Sequence, residues 1–247
     1  MNLLIIQARM GSSRLPGKVL KKINNKSILL HLIERVKCSK SINKIVVATT
    51  KAIKDQEIVE FCNLHKIDFF CGSEHDVLER FYKCALKYEA KNIIRITSDC
   101  PLIDPIVIDT TIDLYLKNDA DYAANTIPPE TRKWPDGSDV EVFSFNALKI
   151  SYLSAKDDER EHVTFFMWRK NKNFKTVQLD NNEDWSKYRY TIDYNEDYEK
   201  VKKIMSILLK NNCFGHTKDI VQIIKNDGEM QNNNKKYSFG YGWKKNK

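Results

Sequence analysis

No apolar run in these 247 residues is longer than a few side chains, so no segment reads as a helix able to span a bilayer. The opening residues lack a basic leader region and a cleavable apolar stretch, because the short run 3–6 passes straight into a polar loop at Arg9. The expected location is therefore the cytoplasm, with no membrane insertion. The six cysteines (Cys38, Cys62, Cys71, Cys84, Cys100, Cys213) form no CxxC pair and have no accompanying histidine. That spacing argues against a zinc site and leaves reduced, core-filling thiols as the plainer reading. A GxGxxG dinucleotide fingerprint is missing too, which excludes a standard dehydrogenase. No internal repeat is found.

What the chain does have is an ordinary globular balance and a modest excess of cations. Its length suits one large α/β domain, 1–225, with an insertion around 125–175, followed by a polar basic tail, 226–247. Lys and Arg number 41 against 33 Asp and Glu, a net charge of +8. The lysines alternate with acids except in the tail (Lys235, Lys236, Lys244, Lys245, Lys247), and the aromatics occupy core-like periodic positions. A nucleic-acid partner is therefore not expected, whereas such a field would serve a polyanionic small molecule.

Helical periodicity marks 27–37, 55–65, 76–88, 106–116, 147–153, 161–170, 195–209 and 219–225. β-branched or apolar runs mark strands at 3–6, 44–50, 68–71, 92–97, 138–145, 174–179 and 188–191. The Pro-rich stretch 125–137 reads as a loop, and the tail as polar and partly disordered. Strand and helix alternate at a pitch that predicts a doubly wound, mostly parallel α/β sheet.

The chain is organised around the loop 7–18, which follows the first strand. It carries Arg9, Arg14 and Lys18 among glycines and serines, a natural cradle for phosphate. It is not a P-loop: five residues separate Gly11 from Gly17, and Val19 stands where Ser or Thr would meet magnesium. Asp99 and Asp193 each follow the end of an expected strand, where open α/β sheets meet ligands. Helix capping is the competing use for both, although Asn195 looks better placed than Asp193 to cap the helix that follows. With substrate phosphates, two such acids could hold Mg²⁺, provided that the fold brings them together.

The run Gln7-Ala8-Arg9-Met10-Gly11-Ser12-Ser13-Arg14-Leu15-Pro16-Gly17-Lys18-Val19-Leu20 closely resembles the signature loop of the sugar cytidylyltransferases. That family includes the CMP-ketodeoxyoctonate synthetases, the acylneuraminate cytidylyltransferases and a spore-coat-polysaccharide branch. The likeness continues through Arg95-Ile96-Thr97-Ser98-Asp99, Asp139-Val140-Glu141, Arg160-Glu161-His162 and Thr191-Ile192-Asp193, in order to about residue 225. It implies a nucleotide-diphospho-sugar transferase (GT-A-like) fold. The implied activity is Mg²⁺-dependent transfer of CMP from CTP to a surface-polysaccharide sugar of ulosonic acid type, releasing pyrophosphate.

Carried onto this chain, the resemblance gives Arg14 and Lys18 the catalytic neutralisation of the triphosphate. Ala8, Arg9, Gly11, Ser12, Ser13, Thr49, Thr50 and Ser73 would line the nucleotide, and Asp99 and Asp193 would hold magnesium. Asp139, Glu141 and His162 would meet the sugar, and 139–164 would also contact a second subunit of a homodimer. His162 is a candidate base, with a structural histidine an equal reading. Gln7 stands where better-characterised synthetases carry proline, and Cys100 where they carry glutamate. Another nucleoside triphosphate with a sugar 1-phosphate, or a glycosyltransferase using a nucleotide sugar, therefore stays open.

Overall fold

The first strand becomes the centre of the sheet because both of its faces are apolar. Leu3, Leu4, Ile5 and Ile6 are all fully buried, and Ile5 is paired with Val46 on one side and Arg95 on the other. The computed structural model describes residues 1–169, 173–233 and 239–240. From β1 (Asn2–Gln7) the chain makes a small hairpin, β2 (Lys22–Ile23) and β3 (Lys26–Ser27), and enters α1 (Ile28–Val36). It continues through β4 (Lys44–Thr50), α2 (Gln56–Leu64), β5 (Asp68–Gly72), α3 (Val77–Lys87), β6 (Asn92–Thr97) and α4 (Pro105–Lys117). Then come β7 (Tyr122–Ala124), β8 (Glu141–Ser144), α5 (Phe145–Ser154), α6 (Asp158–Glu161), α7 (Phe165–Arg169) and β9 (Thr176–Gln178). The described chain ends with α8 (Asn195–Lys210), α9 (Thr217–Lys225), α10 (Gly228–Asn233) and the residues 239–240.

The main sheet runs β5-β4-β1-β6-β8-β7-β9, and β8 alone is antiparallel to its neighbours. The expected doubly wound, mostly parallel sheet is therefore present. Successive side chains of β1 feed opposite cores: Leu4 and Ile6 pack with α1 and α4, whereas Leu3 and Ile5 pack with α3 and α5. The chain leaves β1 toward β4 and β5, then returns to β6 on the other side. That reversal opens a crevice at the carboxyl ends of β1 and β6, where the loop 7–18 and Asp99 stand.

Side-chain caps fix the starts of α1, α3 and α4 in the first half. The Ser27 hydroxyl accepts from Leu30 N at 3.1 Å, Asp76 from Glu79 N at 2.8 Å and Asp104 from Ile106 N at 3.0 Å. Each fixes a helix start by satisfying an otherwise orphaned amide.

Departures concentrate between 138 and 191. The strand expected over 138–145 shortens to β8, because the Asn125 side chain takes the ladder's place, bonding Ser138 O and Val140 N. The single helix expected over 161–170 is two short ones, broken at His162, whose backbone leaves the helical region. Residues 188–191 make only an isolated bridge, Asp136 with Arg189, because the facing Pro-rich loop offers one matching residue. The tail begins with a helix, and Met230 is buried against α8 and α9. Its lysines from Lys235 on, like Lys170, lie outside the described residues. The cysteines are all free thiols, but Cys38 is exposed rather than core-filling.

Candidate active site

The loop after β1 is held from both ends. Ala8 extends the strand by bonding Ala48 O at 3.1 Å, and Met10 N donates to the buried Asp55 carboxylate at 2.7 Å. Met10 O then accepts from Ser12 N at 2.9 Å and Gly17 N at 3.0 Å, which closes the loop into a ring. Gly17 has φ +66°, a left-handed conformation that glycine adopts without strain. It releases the chain into a tight turn that carries Lys18 inward.

Lys18 is the pivot. The residue is only 8% exposed, and its ammonium donates to Asp99 Oδ2 at 2.9 Å, Asp193 Oδ1 at 3.1 Å and Ile192 O at 2.7 Å. Three acceptors match the three protons of an ammonium. Burial opposes the charge, but the Asp99 and Asp193 carboxylates outweigh it and hold the Lys18 pKa above its ordinary value. Burial likewise opposes ionisation of Asp99, yet Lys18 and the Thr97 hydroxyl keep it below the usual carboxylate range. Arg14 reaches the same centre, 2.5 Å from Asp193 Oδ1. The four residues expected to share the triphosphate and its metal thus converge on one point.

Asp193 is available for this because Asp197 caps α8 instead. The Asp197 carboxylate accepts from Asp193 N at 3.0 Å and Tyr194 N at 3.1 Å. Tyr194, not Asn195, is the cap residue.

The nucleotide-side residues lie on the other flank of β1. Thr49 and Thr50 end β4 opposite Cys71 and Gly72 of β5. The Thr50 hydroxyl donates to Asp55, and the Ser73 hydroxyl accepts from Asp76 N at 3.0 Å. The Thr49 hydroxyl is buried without a hydrogen-bond partner. Arg9, Gly11 and Ser13 are exposed along the loop, while the Ser12 hydroxyl accepts from Leu15 N at 3.3 Å.

On the opposite flank a cleft of about 210 Å³ opens, lined by Arg14, Asp99, Asp193, Asp139, Glu141 and His162 among others. Asp139 accepts from Thr126 and from Gly137 N, both at 2.8 Å, and burial raises its pKa. Glu141 is held by Arg95, by the Tyr122 hydroxyl at 2.7 Å and by the Thr164 hydroxyl at 2.5 Å. His162 stacks on Phe165 with ring centres 4.3 Å apart, and its Nε2 is buried without a partner. Burial lowers its pKa, which favours the neutral imidazole.

Sequence reasoning missed Arg189. Its guanidinium bridges Asp136, Asp193 (2.9 Å) and Asp197 (3.1 Å), and so ties the start of α8 to the Pro-rich loop. The available signal was a lone cation between two buried tyrosines, Tyr188 and Tyr190. Asp136 shares that single positive charge with two other acids. Burial and the nearby Asp139 and Asp193 push its pKa up to about 7.

Among the described residues no group of three or more His, Cys, Asp or Glu side chains converges as a self-sufficient metal site. Asp99 and Asp193 nonetheless fit a hard cation. Two carboxylates already gathered about one positive charge are the donor set that Mg²⁺ takes alongside substrate phosphates.

A cationic loop at the end of β1, locked to Asp99 and Asp193 beside an acid-lined cleft, is the arrangement expected of a nucleotidyl-transferring α/β enzyme. The chain belongs to the cytidylyltransferase family, whose model matches residues 3–227. It is 35% identical over 210 residues to the spore coat polysaccharide biosynthesis protein SpsF of Bacillus subtilis, covering 82% of this chain and 85% of that one. It is 33% identical over 156 residues to an 8-amino-3,8-dideoxy-manno-octulosonate cytidylyltransferase of Shewanella loihica, covering 60% and 63%. The solved structure of a cytidylyltransferase from Leptospira borgpetersenii aligns with TM-score 0.87 at 33% identity, covering 94% of this chain and 97% of that one.

Proposed function

We propose that this cytidylyltransferase moves CMP from CTP onto a surface-polysaccharide sugar of ulosonic acid type, releasing pyrophosphate, with Mg²⁺ as cofactor. The observation that carries the reading is Lys18 held between Asp99 and Asp193, which joins the phosphate loop to both acids at the mouth of the cleft. The names of the Bacillus and Shewanella relatives support the sugar and the polysaccharide context.

Nucleotidyl transfer rests on charge neutralisation and in-line positioning more than on covalent catalysis. Arg14 and Lys18 neutralise charge growing on the leaving pyrophosphate, and the loop amides around Gly11–Ser13 line the triphosphate. Thr49, Thr50 and Ser73 flank base and ribose. Asp99 and Asp193 would hold Mg²⁺, which when bound supplies further neutralisation of the phosphates. Asp139 and Glu141 position the sugar, and the neutral His162 imidazole accepts the proton of its attacking hydroxyl. Residues 1–225 act as one domain in the cytoplasm, and the 125–175 stretch also meets a second subunit in a homodimer.

The test is a pyrophosphate-release screen crossing four nucleoside triphosphates with ulosonic acids and sugar 1-phosphates, with and without Mg²⁺. Release only with CTP, Mg²⁺ and an ulosonic acid is expected. Preference for a sugar 1-phosphate or another triphosphate would replace that substrate pair. Consumption of a nucleotide sugar without pyrophosphate would make the protein a glycosyltransferase.

A further inference from the structure

One wall of the acceptor cleft comes from outside the residues that the family model matches. The family match ends at residue 227, yet Phe239 lines the cleft beside Phe165 and Trp168. Phe239 is half-buried and packs on the apolar cluster beneath α3 and α5. The Arg132 guanidinium lies 4.1 Å from the centre of its ring, a cation–π distance that steadies the ring's orientation. Arg132 belongs to the Pro-rich loop whose Thr126, Ile127 and Asp136 line the same cleft. The tail residue and the acceptor loop are therefore clasped at the cleft itself.

The chemistry of the lining divides by kind. Asp136, Asp139 and Glu141 offer carboxylate oxygens, whereas Phe165, Trp168 and Phe239 offer aromatic rings. A sugar ring divides in the same way, with hydroxyl donors around its rim and an apolar face of C–H bonds. Pockets that combine aromatic surface with a few placed polar groups use the first for binding and the second for orientation. The arginines of the cleft are already engaged by acids: Arg14 by Asp193, Arg95 by Glu141 and Arg189 by Asp136.

Resting on the reading of this cleft as the sugar site, we propose that Phe239 is a specificity-determining residue. Its ring takes the apolar face of the sugar while the cleft carboxylates take the hydroxyls. The step governed is acceptor binding, because Phe239 lines the cleft and not the β4–β5 flank where Thr49, Thr50 and Ser73 stand. Relatives that lack an aromatic residue here would then share the nucleotide chemistry but not the acceptor preference.

The test measures pyrophosphate release by the full-length chain with CTP, Mg²⁺ and 3-deoxy-manno-octulosonate as the probe sugar, with sugar 1-phosphates in parallel. Phe239→Ala should raise the KM for the sugar about tenfold, the scale of one lost aromatic contact, with kcat and the KM for CTP within about twofold. Phe239→Tyr should restore the wild-type KM, and Phe239→Leu, which keeps bulk without a π face, should not. An unchanged sugar KM in Phe239→Ala, or an equal rise in the KM for CTP, overturns the proposal. Full rescue by leucine overturns it as well. Wild-type protein that binds CTP but turns over no sugar removes the reading beneath it and the proposal together, a failure visible without any variant.

Discussion

Arg95 on β6 and Glu141 on β8 stand directly opposite one another across the antiparallel junction of the sheet, and their side chains form an ion pair. Glu141 is only 6% exposed and Arg95 is half-buried at the wall of the cleft, so water screens the pair only in part. Replacing Glu141 by Leu should cost about 3 kcal/mol, because the half-buried Arg95 guanidinium loses its countercharge and keeps only the 3.3 Å bond to Gln7 Oε1. The double variant Arg95→Leu/Glu141→Leu should recover part of that loss. Urea unfolding of the two single variants and the double measures both quantities.

Lys18 answers two carboxylates at once. Lys18→Met keeps the length of the stem and removes the charge, and should lower kcat for pyrophosphate release by about 10²–10³. Circular dichroism should still report the native fold. A loss smaller than tenfold would remove Lys18 from the catalytic role.

The two acids that behave oppositely should give opposite pH signatures. Asp136 has its folded pKa raised from 3.8 to about 7, so its contribution to stability is full below the unfolded value and is lost as pH rises through 7. Asp99 is held below its ordinary value, so its contribution is present above that value and is lost as pH falls below it. Melting temperatures across pH 4–8 should therefore fall more steeply in the wild type than in Asp136→Asn. Asp99→Asn should instead flatten the acid limb below pH 4. A difference curve of the wrong sign in either variant contradicts the assignment.

Gly137 lets the Pro-rich loop touch the 188–191 segment. It has φ +108°, and a Cβ there would lie 2.6 Å from Thr191 N and 2.8 Å from Tyr190 C. Backbone cannot yield as a flexible side chain can. Gly137→Ala should destabilise the fold by at least the roughly 1–3 kcal/mol of a strained φ. It should also raise the KM for the sugar, since Asp136 and Asp139 flank the displaced turn. Thermal unfolding and acceptor titration check the two effects.

By itself the sequence determined the alternation of strands and helices through α4, apart from the β2–β3 hairpin, and the cationic loop, because apolar period and turn chemistry are local properties of a chain. The motif run from Gln7 to Leu20 pointed to its family for that reason. It could not determine which acids meet Lys18. Asp99 and Asp193 lie 81 and 175 residues away, and only the return of the chain to both flanks of β1 brings them within reach. Arg189 was hidden for the same reason. Its meaning depends on Asp136 and Asp197, which share no period with it, and on a single backbone bridge where a strand had been expected. The long-range ion pairs, the shortened β8 and the aromatic wall supplied by Phe239 are properties of packing, and only the tertiary structure decided them.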